Sequence, residues 1–139
     1  EGSCVGWGQG GLSEVGAAGA AGKMMGLNKI QMANAISLSL APNLPLRVTR
    51  TGELSMWKGC ATASATRAAI FAAQLASDGM TGPGEPFDGP SGLCQLALAG
   101  QSITPDVMGG DNEQFRIINT TVKNYPSQIH TQSPIGLAL

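Results

Sequence analysis

Charge is scarce in this sequence: 12% of its residues are Asp, Glu, Lys or Arg, about half the usual globular share. A surface normally carries more charge than that, so part of what the chain would leave outside is expected to be covered by further chain or by another subunit. Aromatic residues are scarcer still at 4%, and the apolar content is mostly Ala, Leu, Met and Ile. That mix disfavours a sheet sandwich, which draws on Val, Thr, Tyr and Phe, and favours helices packed through small residues. One histidine cannot build a metal site by itself. Three cysteines, Cys4, Cys60 and Cys94, are too few and too far apart for a disulfide scaffold, a zinc motif or an iron–sulfur cluster, so they read as reduced structural thiols. A net charge of -1 gives no footprint for nucleic acid or for an anionic membrane. No apolar run approaches the roughly twenty residues a bilayer needs and no signal-type segment is read, so the expected location is cytoplasmic.

What is present is glycine and alanine. Twenty glycines cluster near residues 6–26 and 79–92 without a repeating period, as tight turns and close backbone approaches require. The first helix is expected over residues 12–25, with Ser13 as a cap, a groove along Gly16, Gly19 and Gly22, the pair Met24-Met25 filling a buried end, and Gly26 closing it. Asn28 with Gln31 has the spacing of a capping box and opens a second helix, whose buried side is read as Ile30, Ala33, Ile36 and Leu40. Ala41-Pro42 stops it. An Ala-rich helix follows over residues 56–77, with its apolar side along Ala63, Ala69, Ile70, Ala73 and Ala76, and Asp78-Gly79 ends it. A short helix is expected within residues 92–99. Residues 115–122 are β-prone and form the one strand candidate. Ser133 with Pro134 is read as the start of a last helix.

Two constellations can carry chemistry. In the first, Arg47, Arg50, Lys58 and several hydroxyls lie just before and inside a helix start. Free backbone N–H groups there favour an anion, and a guanidinium grips a carboxylate with two parallel bonds, so Arg47 and Lys58 are candidate carboxylate binders; the plain alternative is solvated charge beside Trp57 as a core anchor. The second gathers Lys123, Tyr125 and His130 on one polar connection. Tyr125 or His130 can pass protons at an acidic carbon and Lys123 can stabilise an enolate-like charge; the plain alternative is a structural loop. Residues 6–11 resemble a phosphate loop only in glycine content, lacking the Gly-Lys-Ser/Thr continuation. Asp78, Asp88 and Asp111 stand next to glycines and read as turn carboxylates.

In order along the chain, Gly16-Ala17-Ala18-Gly19-Ala20-Ala21-Gly22-Lys23-Met24-Met25-Gly26-Leu27, Gly52-Glu53-Leu54-Ser55-Met56-Trp57-Lys58-Gly59, Gly79-Met80-Thr81-Gly82-Pro83, Phe87-Asp88-Gly89, Lys123-Asn124-Tyr125-Pro126 and His130-Thr131-Gln132-Ser133 resemble the MmgE/PrpD family. That family includes 2-methylcitrate dehydratase of propionate metabolism, cis-aconitate decarboxylase and iminodisuccinate epimerase. The resemblance implies a fragment with a mainly α fold: residues 1–112 as the later part of an all-helical domain, and residues 113–139 entering an α+β lid through its first strand. It further implies an active site in the cleft between the two, with Lys58 and Lys123 reaching one bound acid, and a homodimer of the full protein. Lys58 belongs to the Trp-Lys-Gly motif of the dehydratase-like branch. The chain departs from many relatives at Gly8-Gln9, where they carry Asp and His; a neutral amide binds but does not exchange protons, so Gln9 is a substrate-binding candidate only.

The implied chemistry is dehydration of a hydroxy di- or tricarboxylate, a base taking the proton next to a carboxylate while an acid assists loss of the β-hydroxyl. Lys123, His130 and Tyr125 are the catalytic candidates, Lys58, Arg47 and Gln9 the substrate-binding ones. No metal or organic cofactor is needed. If the upstream acid and base of the family are required, the fragment alone is expected to be inactive. Two other readings stand beside this one: epimerisation of an amino or imino diacid, and a non-catalytic helical interaction module.

Overall fold

In the computed structural model, which describes residues 10–43, 46–103, 110 and 113–139, three helices build the main core. They are α1 (Gly10–Met24), α2 (Lys29–Leu40) and α3 (Trp57–Ser77), and each packs on the other two. A short α4 (Leu93–Ala97) follows a run of turns. The chain separates into two compact units, residues 1–103 and 104–139. Cys4, Gln9 and Asp111 lie outside the described residues.

The helix ends follow from local chemistry. Gly26, at φ +72, lets the chain turn back after α1: its N–H donates to the Lys23 carbonyl at 3.2 Å and the Leu27 N–H to the Gly22 carbonyl at 2.9 Å. This pair of bonds satisfies carbonyls that the helix leaves open. Gly79, at φ +94, repeats it after α3, with Gly79 N–H on Ala76 O at 3.1 Å and Met80 N–H on Leu75 O at 2.9 Å. The capping box before α2 is formed from both sides: Asn28 Oδ1 accepts from Gln31 N–H at 2.9 Å and Gln31 Oε1 from Asn28 N–H at 3.1 Å. Gln31 Nε2 also donates to the Ser77 carbonyl at 3.3 Å, which ties the start of α2 to the end of α3.

The interfaces are made of small residues. Ala35, Ala73 and Ala76 form one buried cluster, with Ala21, Leu27 and Leu38 packed around it. Leu40, Leu93 and Ala97 form a second, flanked by Val15 and Phe87. The turns after α3 are pinned to α2: Ser37 Oγ donates to Pro83 O at 2.6 Å and Gly82 N–H to Asn34 Oδ1 at 3.2 Å. Gly82 has to be small, since a Cβ there would lie 2.8 Å from the Ser37 side chain. In α4 Cys94 is buried and unbonded to another cysteine; burial, with the Asp88 carboxyl hydrogen-bonded beside it, pushes its thiol above the ordinary value and away from the reactive thiolate form. Cys60 is free and exposed.

Several expected faces and ends differ. On α2 the buried residues are Ala35, Ser37, Ser39 and Leu40, while Ile30 is 75% exposed and Ala33 is exposed. On α3 they are Ala61, Ala65, Ala69, Ala72, Ala73 and Ala76, with Ala63 and Ile70 outside. Close approach of the helix backbones selects the smallest side chains for the interface and turns the branched ones out. Met24 is 90% exposed and fills no gap. Ser13 lies inside α1, which begins at Gly10, and so does not cap it. The strand expected at residues 115–122 is absent: Arg116–Asn119 is a 3₁₀ turn flanked by irregular chain, with Ile117, Ile118 and Val122 exposed. A strand requires a neighbour for its N–H and C=O groups, and the pairing among the described residues of the second unit is an isolated bridge between Gly110 and Glu113. In the second unit a 3₁₀ turn at Ile129–Thr131 runs directly into α5 (Gln132–Ala138), with Thr131 before its first residue and making no side-chain cap bond, so Ser133 and Pro134 sit inside its first turn. No described helix is long and apolar enough to cross a membrane.

Adding bulk at two alanines that the sequence reading placed on one buried side, of which only Ala73 is buried, distinguishes these faces. Ala73→Leu, at a fully buried site, should destabilise the chain by about 1–3 kcal/mol or more through overpacking, whereas Ala63→Leu should stay within about 0.5 kcal/mol. Urea denaturation of both variants checks this, and equal effects would contradict the assigned face.

Candidate functional site

On α1, Glu14, Ala18 and Gly22 follow one another at intervals of four residues, and all three are buried. The helix therefore presents a carboxyl on the same stripe that its small residues use for packing. Glu14 is 1% exposed, and its Oε2 has no hydrogen-bond partner among the described residues. Burial without a cation raises its pKa from 4.5 to about 7, because the charged form loses its hydration. The residue lines a cavity of about 440 Å³ closed by the end of α2, the segment around Val48 and one side of α3. Trp57, 53% exposed, forms part of that wall instead of anchoring the core. Glu14 is not among the candidates read from the sequence; a lone carboxylate in register with Ala18 and Gly22 was the signal that could have found it.

Arg47 and Lys58 both belong to this first unit and both are exposed. Arg47 begins the 3₁₀ turn Arg47–Arg50, and its carbonyl accepts from Thr51 Oγ1 at 3.4 Å. Lys58 lies in the first turn of α3. The N–H groups of Lys58 and Gly59 there already donate to Ser55 O and Met56 O, at 3.2 and 3.1 Å, so two donors that would have favoured an anion are in use. Neither Arg47 nor Lys58 is among the residues lining the Glu14 cavity.

In the second unit, Lys123, Tyr125 and Ser127 share an open groove with Asn124 and Pro126. Gln132, in the first turn of α5, holds this loop: its Oε1 accepts from Tyr125 N–H at 3.0 Å and its Nε2 donates to Tyr125 O at 3.1 Å. Lys123 Nζ donates to the Ser127 carbonyl at 3.0 Å, which steadies the ammonium and leaves it two further protons to give. The Tyr125 hydroxyl sits against α5, 3.7 Å from where a Cβ on Gly136 would lie. His130 is exposed, its N–H donating to Gln128 Oε1 at 2.8 Å, and it is not among the residues lining the groove. The loop thus joins a cation and a phenol, a pair suited to hold a carboxylate and to pass or polarise a proton. No group of three His, Cys, Asp or Glu able to hold a metal ion occurs among the described residues.

The class defined by this architecture is a helical domain closed by alanine and glycine contacts and followed by a small second unit with its own cationic loop. The sequence profile of the MmgE/PrpD N-terminal domain matches residues 2–106, and the chain belongs to the MmgE/PrpD family. The match spans α1 to α4 and so assigns the helical unit to that domain.

The raised pKa of Glu14 makes stability depend on pH. Below about 4.5 the carboxyl is protonated in both the folded and the unfolded chain and costs nothing. As pH rises toward 7 the unfolded chain releases this proton first, so stability falls, and above 7 the loss levels at on the order of 3 kcal/mol. Glu14→Gln should remove this contribution, so urea midpoints at pH 4.5, 6 and 8 should diverge in favour of the variant as pH rises. Parallel profiles would contradict the assignment.

Proposed function

We propose that this chain forms part of a lyase that removes water from a hydroxy di- or tricarboxylate such as 2-methylcitrate. The observation that carries the reading is the match to the MmgE/PrpD N-terminal domain over residues 2–106, a family that includes hydro-lyases. The Lys123 and Tyr125 groove supports it chemically. In the reaction the C–H bond next to a carboxylate breaks, its electron pair forms the new C=C bond, and the β C–O bond breaks with the hydroxyl leaving as water. The negative charge that develops on the carboxylate as the proton leaves is what a fixed ammonium stabilises. Lys123 fills that role; Tyr125 or His130 carries the proton; Arg47, Lys58 and Gln9 bind the remaining carboxylates. The reaction is neutral in electrons and asks for no redox partner. A cytoplasmic homodimer is part of the same reading, supported by the low surface charge and by the exposed side chains of Ile30, Phe71 and Leu137.

In the full-length protein, Lys123→Ala should lower kcat/KM for dehydration by about 100-fold or more with the unfolding midpoint unchanged. The assay is the ultraviolet absorbance of the conjugated alkene formed from a panel of hydroxy di- and tricarboxylates. Absence of any alkene from wild type, with inversion of a stereocentre in an amino diacid instead, would replace the dehydratase reading with the epimerase one.

A further inference from the structure

The cavity against Glu14 is unsuited to the acids proposed above. Among the described residues Glu14 is the one ionisable side chain that lines it, and much of the remaining wall is hydrocarbon from Leu46, Val48 and the alanines of α3. A polycarboxylate placed there would meet a carboxyl and no counter-charge. The other polar groups of the wall are neutral, on Asn43, Thr49, Ser64 and Trp57. Thr49 Oγ1 spends its proton on the Leu46 carbonyl at 3.1 Å, and Asn43 Nδ2 donates to the Ser39 carbonyl at 3.2 Å. Thr49 keeps only lone pairs, Asn43 keeps its second amide proton beside the Oδ1 lone pairs, and Ser64 and the Trp57 indole carry donors of their own. What the described lining lacks is a positive charge for the unpartnered carboxyl of Glu14, which a cationic ligand would bring. A primary ammonium has three donors and no acceptor, and Trp57 adds an aromatic wall that attracts cations. The volume, about 440 Å³, is that of a small-molecule site.

We propose that this cavity binds a small primary amine with an apolar body, its ammonium on Glu14 and its hydrocarbon against Trp57 and Val48. The site is built from residues of the first unit alone and needs no turnover to be observed. The bound cation requires the ionised carboxylate, so affinity rises with pH across the range in which the free carboxyl gives up its proton, while the amine itself stays charged.

The test is calorimetric titration of the full-length protein with 2-phenylethylamine, alongside 2-phenylethanol and 3-phenylpropionate as the neutral and anionic counterparts. The expected result is binding of the amine with a Kd near or below about 1 mM at pH 8, about tenfold weaker at pH 6, and little or no binding of the other two. Glu14→Gln should weaken the amine at least about tenfold at pH 8 and abolish the pH dependence. Should that variant fail to fold, Thr49→Val provides the second probe and should weaken binding several-fold. The proposal is overturned if the amine shows no binding up to about 10 mM, if 3-phenylpropionate binds as well as the amine, or if neither substitution changes the amine's affinity.

Discussion

Everything in the helical unit depends on how closely three helix backbones approach one another. Ala35, Ala69 and Ala73 are completely buried, and side chains that short bring α2 and α3 together at a distance no leucine core would permit. Each alanine withdraws little apolar area from water, at about 0.8 kcal/mol per buried methylene-sized group, so cohesion comes from continuous fit and from satisfied helix ends. The glycine turns after α1 and α3, the capping box before α2 and the Ser37 bond to Pro83 supply those ends. Glu14 occupies a position in a stripe of small residues, 1% exposed at the wall of its cavity, and the fold carries the cost of an unpartnered oxygen.

Signals written in short-range chemistry were legible in the sequence. Asn28 and Gln31, Gly26 and Gly79, and the extents of α2, α3 and α4 could be read because each depends on a few neighbouring residues and on backbone geometry. The buried faces could not. Hydrophobic periodicity weighs Ile30 and Ile70 above Ala35 and Ser39, yet interfaces set by backbone approach choose by size, and alanine or serine looks alike to a periodicity argument on either side of a helix. The β-prone residues 115–122 illustrate a different limit: Ile117, Ile118 and Val122 prefer extended chain, but a strand is a property of a pair. For the site, Lys123 and Tyr125 were legible as neighbours on one connection, whereas Glu14 required the register of α1 with Ala18 and Gly22.

The two units offer opposite chemistries. The loop at Lys123 and Tyr125, held by Gln132, lines an open groove with an ammonium and a phenol. The cavity on α1 presents hydrocarbon and neutral polar groups, and its one ionisable side chain among the described residues is the carboxyl of Glu14. Membership of the MmgE/PrpD family accounts for the helical unit; the cavity with a carboxyl in its wall follows from the particular residue Glu14 in this chain. A carboxyl that exchanges its proton near neutrality is poised to respond to a cation, since a modest gain in interaction is enough to ionise it.

The account rests on Glu14 being buried and unpartnered at the wall of its cavity. Carbon-13 NMR titration of the Glu14 side-chain carboxyl reads this directly. A midpoint near 7 is predicted. A midpoint at about 4.5, the ordinary carboxylate value, would mean that the carboxyl is hydrated and that the helices do not close over it.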